Sequence, residues 1–180
     1  MNSDPLLNNK INSIIELFSK GQLTEALKTV KALLSQYPNE SIPHNISGVC
    51  YQETGQLEMA VQSFERAVAL KPDFADAHYN LGLSLQELNQ LDNAVKSYKD
   101  TLAIESEYIK AYNNLGIIYL ELGHEVDAIK AYRQVIKIEP SNAEAHYNLG
   151  NAFNELGRLD EAIKSYEQAL SICLLYTSPS

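Results

Sequence analysis

Apolar residues recur along this chain at helical spacing, in paired stripes separated by short polar turns. Between His146 and Leu156, apolar or aromatic side chains fall at 146, 149, 153 and 156, the spacing of one helix face. Gly157 follows, and glycine is the residue that most readily takes the left-handed conformation closing a helix. Asp160 and Glu161 come next, where carboxylates suit the positive end of a second helix dipole. The second stripe runs through Ala162, Ile163, Tyr166, Ala169 and Leu170. The local pattern therefore predicts helix–turn–helix. Pro140 bounds the unit, because proline disfavours helix in the residue before it and cannot donate within a helix interior.

The same hairpin is written several times. Gly48, Gly82, Gly116 and Gly150 are each 34 residues apart. So are Ala60, Ala94, Ala128 and Ala162, and the aromatic series Phe64, Tyr98, Tyr132 and Tyr166. Pro72 and Pro140 stand two periods apart, with Ser106 between them. Several independent series at one period mean a repeat architecture. The small residues have a mechanical reason: Gly150 and Ala162 are expected where the two helices of a hairpin approach closely, so a larger side chain would force them apart.

A large residue, Leu-Gly, an aromatic, an alanine, a second aromatic, another alanine and a proline, in that order, resemble the tetratricopeptide repeat. The resemblance implies an all-α fold, an α-solenoid of about five helix-turn-helix units forming a right-handed superhelix. Units 75–108, 109–142 and 143–172 match well, the last of them truncated. Unit 41–74 departs at Ser47, where the family prefers leucine. Unit 7–40 keeps Gly21, Ala26 and Pro38 but has Lys10, Ser13 and Ile14 at the large, Leu and Gly positions. It reads as a degenerate capping repeat behind a short tail, 1–6, since a terminal repeat turns one face to water.

Composition narrows the partners. The 180 residues are 45% hydrophobic and 21% charged, the balance of a folded domain, and the net charge is −9. An acidic chain repels phosphate backbones, so no nucleic-acid partner is expected. The start lacks the basic and apolar segments of a secretory signal, and no apolar run reaches the roughly 18–20 residues of a membrane span, so no membrane partner is expected either. Two cysteines, Cys50 and Cys173, do not make a disulfide framework; a reducing cytoplasm fits them, with Cys50 a small buried apolar residue.

In the family the first helices of successive repeats line a concave groove, so the resemblance implies that groove residues choose the partner. Asn80, Asn114 and Asn148 occupy one repeat position, and a side-chain amide both donates and accepts. Such a row can pair with an extended peptide backbone. It resembles the asparagine ladder of the O-linked N-acetylglucosamine transferase family. Beside it, Tyr79, Asn113 and Tyr147, with Asn45, are expected to face the groove, the tyrosines as rigid surfaces with a polar tip. Glu53, Glu87, Glu121 and Glu155 make an acidic row near the end of each first helix, which steers basic partners. The expected partner is a protein or peptide, extended, neutral or basic. Family members that clamp the carboxylate of chaperone tails use groove Lys and Arg. Here that column holds Asn45, Tyr79, Asn113 and Tyr147, with Lys110 a lone basic candidate, so a carboxylate-clamp chaperone receptor is not expected.

No catalytic constellation is legible, and neither a cofactor nor a metal is expected. His44, His78 and His146 occur once per repeat at the large position, and stacked helices about 8–10 Å apart are too distant for shared ligation. They read as packing residues. Glycines fall singly, with no phosphate-binding loop, and no His-Glu-x-x-His, Cys-x-x-Cys or nucleophile elbow is present. The function expected is a peptide-binding scaffold. The last eight residues, Cys173 to Ser180, leave the repeat pattern. They match a translation of TGT CTC TTA TAC ACA TCT CCG AGC, which resembles a transposase-type sequencing adapter. The expectation is a non-native tail on a longer protein. That leaves an alternative: a targeting arm at the N-terminus of an enzyme, for which the family suggests a glycosyltransferase, sulfotransferase or oxygenase.

Overall fold

The computed structural model describes residues 5–177, and they contain ten helices and no strand. The protein is all-α, of the α-solenoid class. Two compact units divide it. The first, through Ile104, holds α1 (Pro5–Ser19), α2 (Leu23–Gln36), α3 (Ser41–Glu53), α4 (Leu57–Leu70), α5 (Ala75–Glu87) and α6 (Leu91–Ile104). The second, from Glu105, holds α7 (Ile109–Glu121), α8 (Glu125–Ile138), α9 (Ala143–Glu155) and α10 (Leu159–Thr177). Helices pair consecutively as five hairpins, and inside each unit a hairpin's second helix packs on the next hairpin's first.

Two boundaries differ from the sequence reading. Pro5 and Leu6 open α1 instead of ending a tail, because a first-turn proline loses no intrahelical bond. α10 runs past Ile172 to Thr177, since Cys173, Leu174 and Leu175 include no helix breaker. Residues 1–4 of the expected tail and 178–180 of the expected foreign segment lie outside the described residues.

Each first helix ends in the same way. Gly157 sits at φ +74, its N–H donates to Asn154 O at 2.9 Å, and the Arg158 N–H reaches back to Phe153 O at 2.8 Å. These two bonds satisfy carbonyls that the helix end would orphan. Gly21, Gly55 and Gly123 occupy the equivalent place with φ near +70. In the third hairpin the place is taken by Asn89 at φ 58, and asparagine tolerates that region better than other non-glycine residues.

The helical glycines serve a different purpose. A Cβ built on Gly48 would lie 2.5 Å from the Phe64 ring; on Gly82, 2.6 Å from Tyr98; on Gly116 and Gly150, 2.5 Å from Tyr132 and Tyr166. Each hairpin thus seats an aromatic ring of its second helix against a bare backbone in its first. The alanine series at 60, 94, 128 and 162 is buried as expected. The first hairpin departs at both partners together: Ile14 stands at the glycine place and Val30 at the ring place, and both are fully buried. Volume moved from one helix to the other fills the same space.

Candidate functional site

On the first helices, the residues that can meet a partner are those on the uncovered side. α5 buries Ala77, Leu81, Gly82, Ser84 and Leu85, leaving Tyr79, Asn80 and Glu87 less covered. α9 buries Ala145, Leu149, Gly150, Ala152 and Phe153 and leaves Tyr147, Asn148 and Glu155. An Asn142 cap, whose Oδ1 accepts from the Ala145 N–H at 2.9 Å, fixes where α9 begins.

In the first unit the amides are already engaged. Asn80 Nδ2 donates to Asn45 Oδ1 at 3.2 Å, linking two adjacent first helices. Gln52 Nε2 donates to Glu87 Oε1 at 2.8 Å, so this carboxylate is held by an amide that the sequence reading did not single out. Tyr79 tilts against Tyr98 with ring centres 5.8 Å apart, and the buried Tyr98 donates its hydroxyl to Gln86 Oε1 at 2.9 Å. Glu53 is exposed; burial first, and its carboxylate second, push the fully buried Cys50 thiol up.

The second unit differs. Asn113 Oδ1, at the place of Asn45, is buried and has no hydrogen-bond partner. Asn114 and Asn148 are part-buried, and Glu121 and Glu155 are exposed. Tyr147 is 55% exposed and lies against Tyr166 at 5.6 Å between ring centres. The Tyr166 hydroxyl donates to Asn151 Oδ1 at 2.8 Å. Burial, with a smaller push from the Glu144 carboxylate, raises the Tyr132 phenol to about 12. Lys110 is exposed.

The histidines do more than pack. His44 Nε2 meets Pro38 O at 2.9 Å, His78 meets Pro72 O at 3.0 Å and His146 meets Pro140 O at 3.0 Å. A carbonyl only accepts, so each ring donates from Nε2. The signal lay in the sequence: histidine follows proline by six residues three times. Where Ser106 replaces proline, Tyr112 replaces histidine. Among the described residues no three His, Cys, Asp or Glu are grouped to hold a metal ion, and no helix is long and apolar enough to cross a membrane.

Comparison with known proteins gives the following. Family descriptions for the tetratricopeptide repeat match residues 113–173 and 73–141, and one for the TPR repeat matches 49–89. No curated protein matches the chain. Among solved structures, one of MamA is 29% identical, with TM-score 0.84 over 87% of this chain and 92% of that one. A second structure of MamA protein is 26% identical, with TM-score 0.88 over 97% of both chains. YrrB, described as a TPR protein with an unusual peptide-binding site, is 22% identical, with TM-score 0.79 over 91% of this chain and 84% of that one.

Proposed function

Because the chain belongs to the tetratricopeptide repeat family, we propose that this protein-interaction scaffold receives an extended peptide along the amide and tyrosine positions of α7 and α9, the first helices of its second unit. One observation carries the reading: the buried, unpartnered Oδ1 of Asn113. The equivalent Oδ1 of Asn45 is filled by the amide of Asn80. A buried acceptor without a donor costs about 1–3 kcal/mol, and turning the Asn113 amide outward to an incoming peptide N–H removes that cost. YrrB supplies a precedent for a peptide site on this fold. Exposed Glu121 and Glu155 in the second unit, Glu53 in the first and the net charge of −9 favour a basic peptide, by steering more than by final affinity. Read this way the described residues form a binding module, with Tyr147 as an aromatic contact and the amides pairing with main chain.

The test is selection from a displayed library of unstructured peptides, followed by titration of the selected peptides against Asn113→Leu. The side chain is similar in size but has no acceptor. Roughly tenfold weaker binding, about 1.4 kcal/mol, is expected. Peptides that bind the variant as tightly as the parent, or that are enriched in Asp and Glu, would overturn the reading.

A further inference from the structure

In the first unit, the joint between the second and third hairpins holds a cavity of about 390 Å³. It is lined by side chains of α4, α5 and α6. Val61, Val68, Leu81 and Leu85 give it apolar walls, and Glu65, His78 and Asp100 give it polar ones. By helical spacing His78, Leu81 and Leu85 share one side of α5, while Tyr79, Asn80 and Glu87 lie on another.

Two sister joints show how the chain closes this place elsewhere. Between α2 and α3, Lys31 lies over the Tyr51 ring, 5.0 Å from its centre. Between α8 and α9, Arg133 lies over the Phe153 ring at 5.6 Å, joined by Arg158 at 4.8 Å. In both, a cation of a second helix covers a ring of the next first helix. The 34-residue period puts Glu65 at the place of Lys31 and Arg133, and Leu85 at the place of Tyr51 and Phe153. A smaller side chain stands where the ring would be, and a carboxylate where the cation would be. The two exchanges together leave space and reverse the charge beside it.

The polar wall asks for a donor. His78 Nε2 donates to Pro72 O at 3.0 Å, so Nδ1 of the neutral ring is an acceptor. It faces Asp100 Oδ2 at 4.0 Å, and an N–H placed between them satisfies both. The chain's own cations are turned elsewhere. Arg66 donates to Asn39 Oδ1 at 3.1 Å, Lys71 lies over the Phe74 ring at 5.0 Å, and Lys99 does not line the cavity. Lys96 is the one lysine on the wall, and it is exposed. Gln90 and Asn93 are tied to each other at 3.1 Å. Among the described residues no three His, Cys, Asp or Glu are grouped for a metal ion, so an organic cation is the fitting occupant. We propose that this cavity is a docking site for an arginine side chain of a partner protein. Its guanidinium donates to Asp100, His78 Nδ1 and Glu65, and its methylene stem lies on Val61, Val68, Leu81 and Leu85. Arginine suits the wall better than lysine, because its planar fork offers several N–H groups at once. The site is separate from the amide and tyrosine positions of α7 and α9 and does not rest on that reading.

The probe is N-acetyl-arginine methylamide, titrated into the methyl-labelled full chain at pH 8 and followed by NMR. Its citrulline analogue, equal in shape but uncharged, serves as control. Saturable shifts are expected at the methyls of Val61, Val68, Leu81 and Leu85, with a Kd on the order of 1 mM for so small a ligand. The citrulline analogue should leave these methyls unmoved. Glu65→Lys and Asp100→Asn should each weaken binding about tenfold, the size of a lost charge-assisted hydrogen bond. Both positions reach solvent, and an unchanged circular-dichroism spectrum confirms the fold. Lys96→Gln removes the cation on the wall and should tighten binding. Asn113→Leu should leave it intact, so failure here is distinguishable from failure of the extended-peptide reading. Equal shifts with the citrulline analogue, unchanged binding in both carboxylate variants, or saturable shifts confined to α7 and α9 overturn the proposal.

Discussion

Replacing Gly116 by alanine tests the packing argument most directly, because two opposing effects of known size meet at one atom. In an exposed helix the change would stabilise by about 1 kcal/mol, since glycine gives up more backbone freedom on folding. Here the new Cβ would stand 2.5 Å from both Cε1 and Cζ of Tyr132. That ring is fully buried and packed with Ala128, Ile129, Leu149 and Phe153, so it has no empty direction in which to swing. Overpacking of this kind costs about 1–3 kcal/mol. The net expectation is a loss of about 1 kcal/mol, growing to about 2–3 kcal/mol in Gly116→Val, where the helix gain shrinks and three carbons are added in place of one. Urea unfolding followed by circular dichroism measures both. A double-mutant cycle with Tyr132→Leu isolates the cause: without the ring, alanine at 116 should recover its usual benefit. Gly116→Ala melting at or above the parent, or a cycle with no coupling, would refute the account.

Two further outcomes follow from the turns and the core. Gly123→Ala should destabilise by about 1 kcal/mol through its φ of +70 alone, since nothing lies within 4 Å of the added Cβ, whereas Asn89→Gly at the equivalent place should change stability by only a few tenths of a kcal/mol; paired thermal melts would separate the two. Tyr132, whose phenol is held at about 12 against 10.0, keeps its proton in the fold while the unfolded chain loses it. Its contribution is therefore complete below pH 10 and declines as pH rises from 10 to about 12, on the order of 2 kcal/mol in all. The check is denaturation across that range, with Tyr132→Phe expected to lack this share of the alkaline loss.

The hairpins were legible because their constraints are local and repeated: glycine at the turn, glycine against a ring, alanine at the close approach. The first hairpin was harder to read. Ile14 and Val30 each break the pattern when taken singly, and only together do they restore the volume of a glycine and a ring. The candidate site was legible as columns but not as contacts. Spacing put Asn45, Asn80 and Asn113 in neighbouring columns, yet it could not say that the first two pair with each other while the third is left with a buried open acceptor. That difference depends on small offsets between adjacent helices, which side-chain identity does not encode. The histidines carried a signal in their spacing, six residues after a proline three times over, but their partner is a main-chain carbonyl, which residue type alone does not announce.

The proline-to-histidine bond also bears on how such a chain can change length. Each bond joins the turn closing one hairpin to the first helix of the next, so a 34-residue segment carries an acceptor at one end and a donor near the other. A tandem copy of such a segment brings both halves of its own joint, and the ring-and-glycine contact inside it needs nothing from outside. Growth by whole units therefore leaves every existing contact intact, and the columns facing a partner lengthen in equal steps. Selection can then alter recognition one rung at a time, without revising the frame that holds the rungs.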